Sequence, residues 1–429
     1  MKELSLKQFN TWKWIIFIFC FTILVTRTFT VSVFDGNKAR SSVYGDGYSD
    51  INTISSAKYF LDSGFTQTAF LPVHDYYPEL KGTNAYTHYP ALPNILAGFY
   101  ANMFGTVFEP ALRLIPLLIA VLFFVFIFFV VYQITQNRIQ TLLGSASILL
   151  ASYFLSWADN LHQHLYGELL KWIYFYLLYT YYMQGCINKR LLAALFFIIL
   201  LQVNISFEQP VYLGILTLGF TIIFKKRIFT IETVGAAAFV IIGFILHLYQ
   251  NAIYFNSWDL ALTDMKDAFL FRTAGTETAQ NIAESAFGPA DYWQIPFSWF
   301  NRMERFYMFP GWAVLILAFW VMKDLRATNK KLYQILWALF FASIAWTICM
   351  AQHGFIHIFV NKHFSIWYAL IVAIGLPMLW QKVKTAFMQK PILPKVFYTL
   401  LCLYMLVMFL TQQVWMVYLK YGLAYKWLN

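Results

Sequence analysis

Charge is what this sequence has least of. Of its 429 residues only 12% are charged, against 60% hydrophobic and 20% aromatic. A soluble domain carries about 25% charged residues, so a water-soluble globular protein is excluded. A disordered chain is excluded too, because so much apolar surface does not stay in water. Cysteine is scarce: Cys20, Cys186, Cys349 and Cys402 fall in apolar stretches or in an expected cytoplasmic loop. None lies in an outward loop, so no structural disulfide is expected, and no cysteine pair has metal-site spacing. The sequence has no internal repeat, no Gly/Ser-rich linker, no Walker loop, no dinucleotide-binding glycine fingerprint and no Gly-x-Ser-x-Gly elbow where one could fold. Nor is there a matching pair of Gly/Pro-broken helices in two halves, which counts against a secondary transporter.

What is present is a series of apolar runs, at roughly 14–34, 111–133, 141–158, 168–185, 191–207, 210–224, 228–250, 307–322, 332–351, 364–380 and 396–418. A membrane-spanning helix needs about 20 apolar residues, so the expected fold is an all-α polytopic membrane protein of about 11 transmembrane helices. The runs on either side of Glu208-Gln209-Pro210 are short and read equally well as one broken hairpin. The net charge of +11 sits in the N-terminal stretch and in every second gap between runs. That alternation is the positive-inside pattern, and it puts the N-terminus in the cytoplasm and the C-terminus outside. No single face collects the basic residues, as nucleic-acid binding would require. The first run follows lysines and has no small-residue cleavage site, so it is expected to stay as a span.

Two outward gaps, 35–110 and 251–306, are far longer than turns and rich in aromatic residues. Long ordered loops are usually functional. In the first, Ile51, Ile54, Ala57 and Leu61 have helical spacing and Gly64 stands where such a helix would end. After Pro90, Leu92, Ile95, Leu96, Phe99 and Met103 repeat the pattern. Both segments are too short to span and are expected to lie as amphipathic helices in the outer interface.

Asp46 and Asp50 stand four apart at the start of the first segment. One carboxylate there has the chemistry to accept a proton from an attacking hydroxyl; equally, Asp46 has the chemistry of a helix N-cap and Asp50 of a solvated side chain. Asp159, His162, His164 and Glu168 cluster after the third run, and His353, His357 and His363 after the ninth. Histidine–carboxylate groups can bind Mg, Mn or Zn, though the spacing here matches no specific metal motif. Arg27, Arg302, Arg305, Lys362 and His363 sit at outer helix ends, where cations can pair with a lipid phosphate or simply snorkel to headgroups. Lys362 stands among apolar residues in Phe359-Val360-Asn361-Lys362-His363-Phe364, a costly placement that marks a functional candidate. Trp293, Trp299, Tyr292 and Tyr307 offer rings on which a sugar could stack, or plain interfacial packing.

Taken in order, these features resemble a known superfamily. A first span ends near Arg27, an acidic motif follows at Asp46 with Tyr48, and an amphipathic segment runs from Ile51 to Phe65. Then come Tyr76-Tyr77-Pro78, the stretch His88-Tyr89-Pro90-Ala91-Leu92-Pro93, and the second span. The chain resembles the GT-C superfamily of glycosyltransferases that use polyprenyl-phosphate sugars. Within it, the chain is most similar to the branch of protein O-mannosyltransferases (glycosyltransferase family 39) and lipid A aminoarabinose transferases.

The resemblance implies a catalytic membrane core over 1–250 with its first outward loop at 35–110, a second outward loop at 251–306, and C-terminal transmembrane helices over 307–429. It implies Asp46 as base, although the family's Asp-Glu pair is here Asp46-Gly47, so that Asp50 substitutes for the second acid or is itself the base. It implies that Lys362 and His363, in the basic-aromatic stretch before a late span, lie near the lipid phosphate. Arg27, Arg302 and Arg305 join them as donor-binding candidates, while Tyr48, His88, Tyr89, Pro90, Asp159 and His162 are candidates for acceptor or sugar contacts or for loop structure.

The expected function is an inverting transfer of a sugar from a polyprenyl phosphate to an acceptor hydroxyl on protein, lipid or glycan. The site would face the periplasm from a bacterial inner membrane. A polyprenyl-linked polysaccharide polymerase or ligase, and a transporter or flippase without group transfer, remain the alternatives.

Overall fold

A computed structural model describes residues 47–74, 76, 84–183, 185, 188–272 and 293–386, with parts of 392–411. The described residues form helices and connecting turns, with no strand among them. The expected spans at 14–34 and, for the most part, 396–418 lie outside them, as do Cys20, Cys186 and Cys402; Cys349 is a free, exposed thiol.

The first outward segment folds as two helices, α1 (Gly47–Ser63) and α2 (Leu92–Phe104). Gly64 closes α1 at φ +79° and Gly105 closes α2 at φ +63°, the left-handed conformation in which glycine carries no Cβ penalty. Pro93 stands in the first turn of α2, where its missing N–H costs nothing. The two helices pack on each other through small residues: Ala57 meets Ala97 and Ala101 in one buried cluster. At Gly98 a Cβ would come 2.7 Å from the Phe60 ring, so only glycine allows this approach. The large apolar residues of α2, Phe99 and Met103, are instead exposed, and on the helix that follows Leu114, Leu118 and Leu122 form an exposed apolar stripe of their own at helical spacing. A helix that buries small residues and displays large apolar ones is suited to lipid rather than water.

The bundle follows as α3 (Glu109–Thr135), α4 (Arg138–Leu149), α5 (Ser152–Trp157), α6 (Gln163–Met183), α7 (Lys189–Ile205), α8 (Glu208–Lys225) and α9 (Ile231–Phe255). After it come α10 (Trp258–Arg272), α11 (Gln294–Phe306), α12 (Gly311–Thr328), α13 (Lys330–Cys349), α14 (Ala351–Ile356), a tight 3-10 segment Ile358–Phe364, and α15 (Ser365–Ala386). Four stretches among the described residues are long and apolar enough to cross a membrane: Ala111–Thr135, Ile231–Phe255, Lys330–Cys349 and Val360–Thr385.

Caps read directly from sequence set several boundaries. The Asn137 side chain accepts from the amides of Ile139 and Gln140, Asn188 does the same for Arg190 and Leu191, and Thr230 forms a capping box with Thr233. α15 is the central helix, fully enclosed from Ser365 to Ala373 and packed on α4, α12 and α3. α9 is its opposite, with Ile241, Ile245, Tyr249 and Ile253 exposed on an outer face.

One expectation changes and two are sharpened. The run 141–158 is two helices, α4 and α5, broken at Leu150 and Ala151. The Glu208-Gln209-Pro210 region is a true helix start, with α7 ending at Ile205 and Pro210 in the first turn of α8. In the second outward gap, α9 runs on to Phe255, and α10 and α11 are regular helices; residues 273–292 lie outside the description.

Candidate active site

Where α1 meets the bundle, one guanidinium gathers three carboxylates. Arg113 of α3 is fully buried. Its Nη2 lies 2.9 Å from Asp50 Oδ2 and 2.6 Å from Glu109 Oε1, and its Nη1 donates to the Asp159 carbonyl with the Asp159 carboxylate 4.0 Å away. The other oxygen of Asp50, Oδ1, accepts from Asn160 Nδ2 at 2.8 Å and from the Leu161 amide at 3.0 Å. Asp50 is therefore buried and engaged at both oxygens, and it fastens α1 to α3 and to the turn between α5 and α6. It is not a solvated residue. Close by, Tyr100 of α2 and Tyr166 of α6 share a hydrogen bond of 3.2 Å. Burial raises the Tyr100 phenol above its ordinary value, and the bond to Tyr166 acts in the opposite direction.

Asn160 also links to a second polar group, because its Oδ1 accepts from the His164 amide at 3.3 Å. His164 Nδ1 accepts from Lys362 Nζ at 3.0 Å, and the Lys362 ammonium pairs with Glu208 at the start of α8. His363 Nε2 stands 3.5 Å from the other Glu208 oxygen. On the adjacent face of α6, Lys171 Nζ is 2.6 Å from Glu168 Oε1 and donates to the Lys362 carbonyl at 2.9 Å. Glu168 Oε2 accepts from Tyr153 and, at 3.2 Å, from Ser365. Each of these charged side chains is essentially without solvent exposure. Burying one charge alone costs several kcal/mol, so two lysines and two glutamates compensate each other. The 3-10 turn at 358–364 puts Lys362 and His363 side by side. That turn is fixed by Tyr307, which donates to the Asn361 carbonyl at 2.7 Å, by Asn361 Nδ2 donating to the Trp299 carbonyl at 3.0 Å, and by Ser343 donating to the His363 carbonyl at 2.9 Å.

The stretch 84–90 straps across the outer end. Thr87 O accepts from His247 Nε2 and from Asn251 Nδ2, each at 3.0 Å, and the Ala85 amide donates to the Tyr254 hydroxyl at 3.0 Å. His88 Nε2 lies 2.8 Å from Asp264 of α10, Tyr89 shares a 3.1 Å hydrogen bond with Ser206, and Pro90 is buried. Below the strap, α8, α9, α10 and the end of α13 enclose an apolar cavity of about 620 Å³. Phe207, Val211, Val240, Phe244, Met265 and Trp346 line it, and His88 and Lys266 bring polar groups to it. Of its lining residues, Phe207 directly precedes Glu208 in the chain, and Trp346 Nε1 donates to His353 Nδ1 at 3.0 Å.

The structure thus brings together Asp50, Asp159, Lys362 and His363, which the sequence singled out, and joins them to Tyr89 and His162 through ring contacts (Tyr89 to His162, 6.3 Å; His162 to His164, 6.4 Å). Arg302 Nη1 donates to the Gly354 carbonyl at 3.1 Å, on the α14 side. Arg27 and Asp46 lie outside the described residues, as do the side chains of Tyr48 and Arg305. Two candidates for sugar stacking are corrected: Trp299 is buried and Tyr307 is stacked at 4.3 Å on Tyr368 in the core, so neither offers a ring face; Tyr292 lies outside the described residues. Among the described residues no group of three His, Cys, Asp or Glu is arranged to hold a metal. The histidines fit this result, since His164 Nδ1 already faces an ammonium and His353 Nδ1 an indole N–H.

Sequence reasoning passed over Arg113, Glu109, Asn160 and Lys171. For two of these a signal was present. Arg113 sits inside an apolar run with Glu109 four residues before it, and Lys171 has Glu168 three before it; an ionisable residue paired at helical spacing in such a run marks a site.

The same architecture occurs in solved structures of an oligosaccharyltransferase from the archaeon Archaeoglobus fulgidus. Its apo form superposes with a TM-score of 0.50 at 11% identity, over 94% of this chain and 56% of that one. A complex of that enzyme with Zn and sulfate gives 0.47 at 14% identity over 91% and 52%. A complex of the archaeal enzyme AglB with an inhibitory peptide and a dolichol-phosphate gives 0.47 at 10% over 93% and 56%. This chain thus spans little more than half the length of the protein it superposes on, and at such identity the likeness is one of fold. No family model and no curated protein matches the sequence.

Proposed function

We propose that this chain is an integral-membrane glycosyltransferase that moves a sugar from a polyprenyl-phosphate donor to an acceptor hydroxyl at the outer face of the membrane. The observations that support this reading are an apolar cavity that His88 of the 84–90 strap helps to line and a buried, charge-compensated lysine pair at Lys171 and Lys362. A prenyl phosphate is itself an apolar chain ending in an anion, and the two features suit its two parts. Lys362 is the cation for the departing phosphate, and His363 and Lys171 flank it. Preorganised charge of this kind is usually the largest catalytic contribution, because it needs no rearrangement as the negative charge develops. Arg27, Arg302 and Arg305 remain candidates for the same phosphate from the outer helix ends.

The acceptor enters under the first loop. Asp46, the residue before α1, takes the proton of the attacking hydroxyl, and the sugar inverts at its anomeric carbon. A base contributes about 10²–10⁴-fold in rate. Asp50, engaged by Arg113, Asn160 and Leu161, is the positioning residue that holds the start of α1 against the bundle. The positive-inside pattern supports about 11 spans with a cytoplasmic N-terminus and a periplasmic site in a bacterial inner membrane. The GT-C-type fold supports the reaction class, and the motif order from Asp46 to Pro93 supports the mannosyl- and aminoarabinosyl-transferase branch.

The test is lipid-linked sugar profiling in the native host, comparing wild type with chromosomal Asp46→Asn at matched protein levels. A polyprenyl-phosphate monosaccharide is expected to accumulate while one glycan loses that sugar. Accumulation of a polyprenyl-linked oligosaccharide instead would replace this reading with the polymerase or ligase. An unchanged profile in a full deletion would reject both.

A further inference from the structure

Two glutamines from α7 and α8 meet at one glycine of α6 at the outer end of the bundle, and a third stands one turn away on α6. Gly167 lies in the second turn of α6, and its carbonyl accepts from Gln202 Nε2 of α7 at 2.7 Å. A Cβ built on Gly167 would lie 3.2 Å from Gln209 Nε2 of α8, so the Gln209 amide rests against the glycine. Gln163 stands one turn earlier on α6, on the same face as Gly167. All three side chains are at least nine-tenths buried. Yet Gln163 Oε1, Gln202 Oε1 and both polar atoms of Gln209 have no hydrogen-bond partner among the described residues.

That combination is costly. A buried polar atom left without a partner loses about 1–3 kcal/mol, and buried polar groups in folded proteins are nearly always bonded. An apolar side chain of the same size would avoid the cost at each position. The amides are also unlike the neighbouring charged group, since they are neutral and each offers both a donor and an acceptor. A phosphate would find no added charge here, and an isoprenoid chain would leave the amides unsatisfied. A sugar hydroxyl, which donates and accepts at once, fits them. Gln209 directly follows Glu208, the partner of Lys362, in the first turn of α8, so this amide and the proposed phosphate cation belong to the same helix start. Tyr89 closes the outer side through its hydrogen bond to Ser206.

We infer that Gln163, Gln202 and Gln209, around Gly167, form the subsite that reads the hydroxyls of the donor sugar. This rests on the proposed glycosyltransferase reading and deepens it. Specificity of this kind is strong in principle, because a site built to bond a hydroxyl is left with bare polar groups when the hydroxyl is missing.

The test is equilibrium binding to the full-length protein in lipid nanodiscs. The probes are synthetic C20 prenyl phosphate, bare and carrying a hexose, a pentose, an N-acetylhexosamine or an aminopentose. Wild type is expected to bind one sugar-bearing probe at least about tenfold more tightly than the bare lipid, the worth of one or two good hydrogen bonds. Gln209→Met and Gln202→Met, close in volume and without the amide, should bring that ratio to near one while leaving the affinity for bare prenyl phosphate in place. A Gln209→Glu/Gln202→Met pair is unnecessary if either single variant folds, as judged by monodisperse elution. If both methionine variants keep the wild-type ratio, or lose affinity for bare and sugar-bearing lipids equally, the amides serve only the packing or internal water and the inference fails. If wild type binds bare prenyl phosphate but prefers no sugar, the inference fails while the donor class stands. If it binds no prenyl phosphate, the proposed function itself fails.

Discussion

At the scale of single residues, Asp50 and Arg113 show how a role depends on a partner distant in sequence. In the sequence Asp50 is one of two acids four apart, open to roles as base, as second acid or as a solvated carboxylate. In the fold, 63 residues separate it from the guanidinium that neutralises it, and 110 from the amide of Asn160. No local pattern carries that information. Arg113 was more legible, since an arginine near the start of an apolar run needs a counter-charge and Glu109 stands one turn away. The two residues separate by mutation. Asp50→Asn keeps an acceptor for Asn160 and Leu161 and removes only the charge facing Arg113, so a loss of about 1–3 kcal/mol is expected. Arg113→Met leaves Asp50, Glu109 and Asp159 buried without their cation and should cost about 3–5 kcal/mol or abolish accumulation of folded protein. Thermal unfolding of the purified variants in one detergent measures both. Equal destabilisation by the two would contradict the shared-guanidinium arrangement.

At the scale of elements, the starts and stops were the readable part. Gly64, Pro93 and the caps at Asn137, Asn188 and Thr230 act through the backbone of their own helix, so their signal is local. The break between α4 and α5 was not readable, because no proline or glycine marks Leu150-Ala151 and the apolar run continues across it. What shapes α4 is tertiary: Gly144 lies directly against the Ala369 backbone of α15, and Ser147 O accepts from the Met308 amide at 3.0 Å. Close approach at a glycine also sets the α1–α2 pair, and it can be tested against a glycine that has no such duty. In Gly98→Ala the new methyl meets Phe60 at 2.7 Å, whereas at Gly214 in α8 it meets nothing within 4 Å. Gly98→Ala should therefore lose about 1–3 kcal/mol through overpacking, and the proposed transferase activity with it, since α2 packs on α1, which follows the proposed base Asp46 in the chain. Gly214→Ala should be neutral or gain about 0.5–1 kcal/mol from the lower entropy of its unfolded chain. Melting temperatures and transferase rates of the two variants, measured side by side, decide between a specific contact and a general intolerance of larger residues.

At the scale of the whole molecule, the arrangement is a division of solvents. Exposed faces of α2, α3 and α9 present large apolar side chains, the centre around α15 is closed, and the ionisable groups are drawn into one connected interior path from Asp50 to Glu208. Helices α8, α9 and α10 form the apolar walls of the 620 Å³ cavity, and Phe207, one residue before Glu208, is among its lining residues. If the cavity holds the first part of an isoprenoid chain, affinity must depend on chain length in a particular way. Because the chain comes from lipid rather than water, the gain is the packing of each unit against the cavity walls, so every isoprene unit that enters should tighten binding severalfold. Units beyond the cavity should add little, because they only exchange one apolar lipid environment for another. Val240, which lines the cavity from α9, is the place to shorten it. Val240→Trp should leave binding of a C5 or C10 prenyl phosphate close to wild type and remove the gain from C10 to C20, with the charged group untouched. Binding isotherms for a C5, C10, C15 and C20 series, in wild type and variant, show the effect as a change of slope. A wild-type affinity that does not vary with chain length would detach the cavity from the donor, and a Val240→Trp loss equal at every length would show that the substitution disturbs the phosphate end instead.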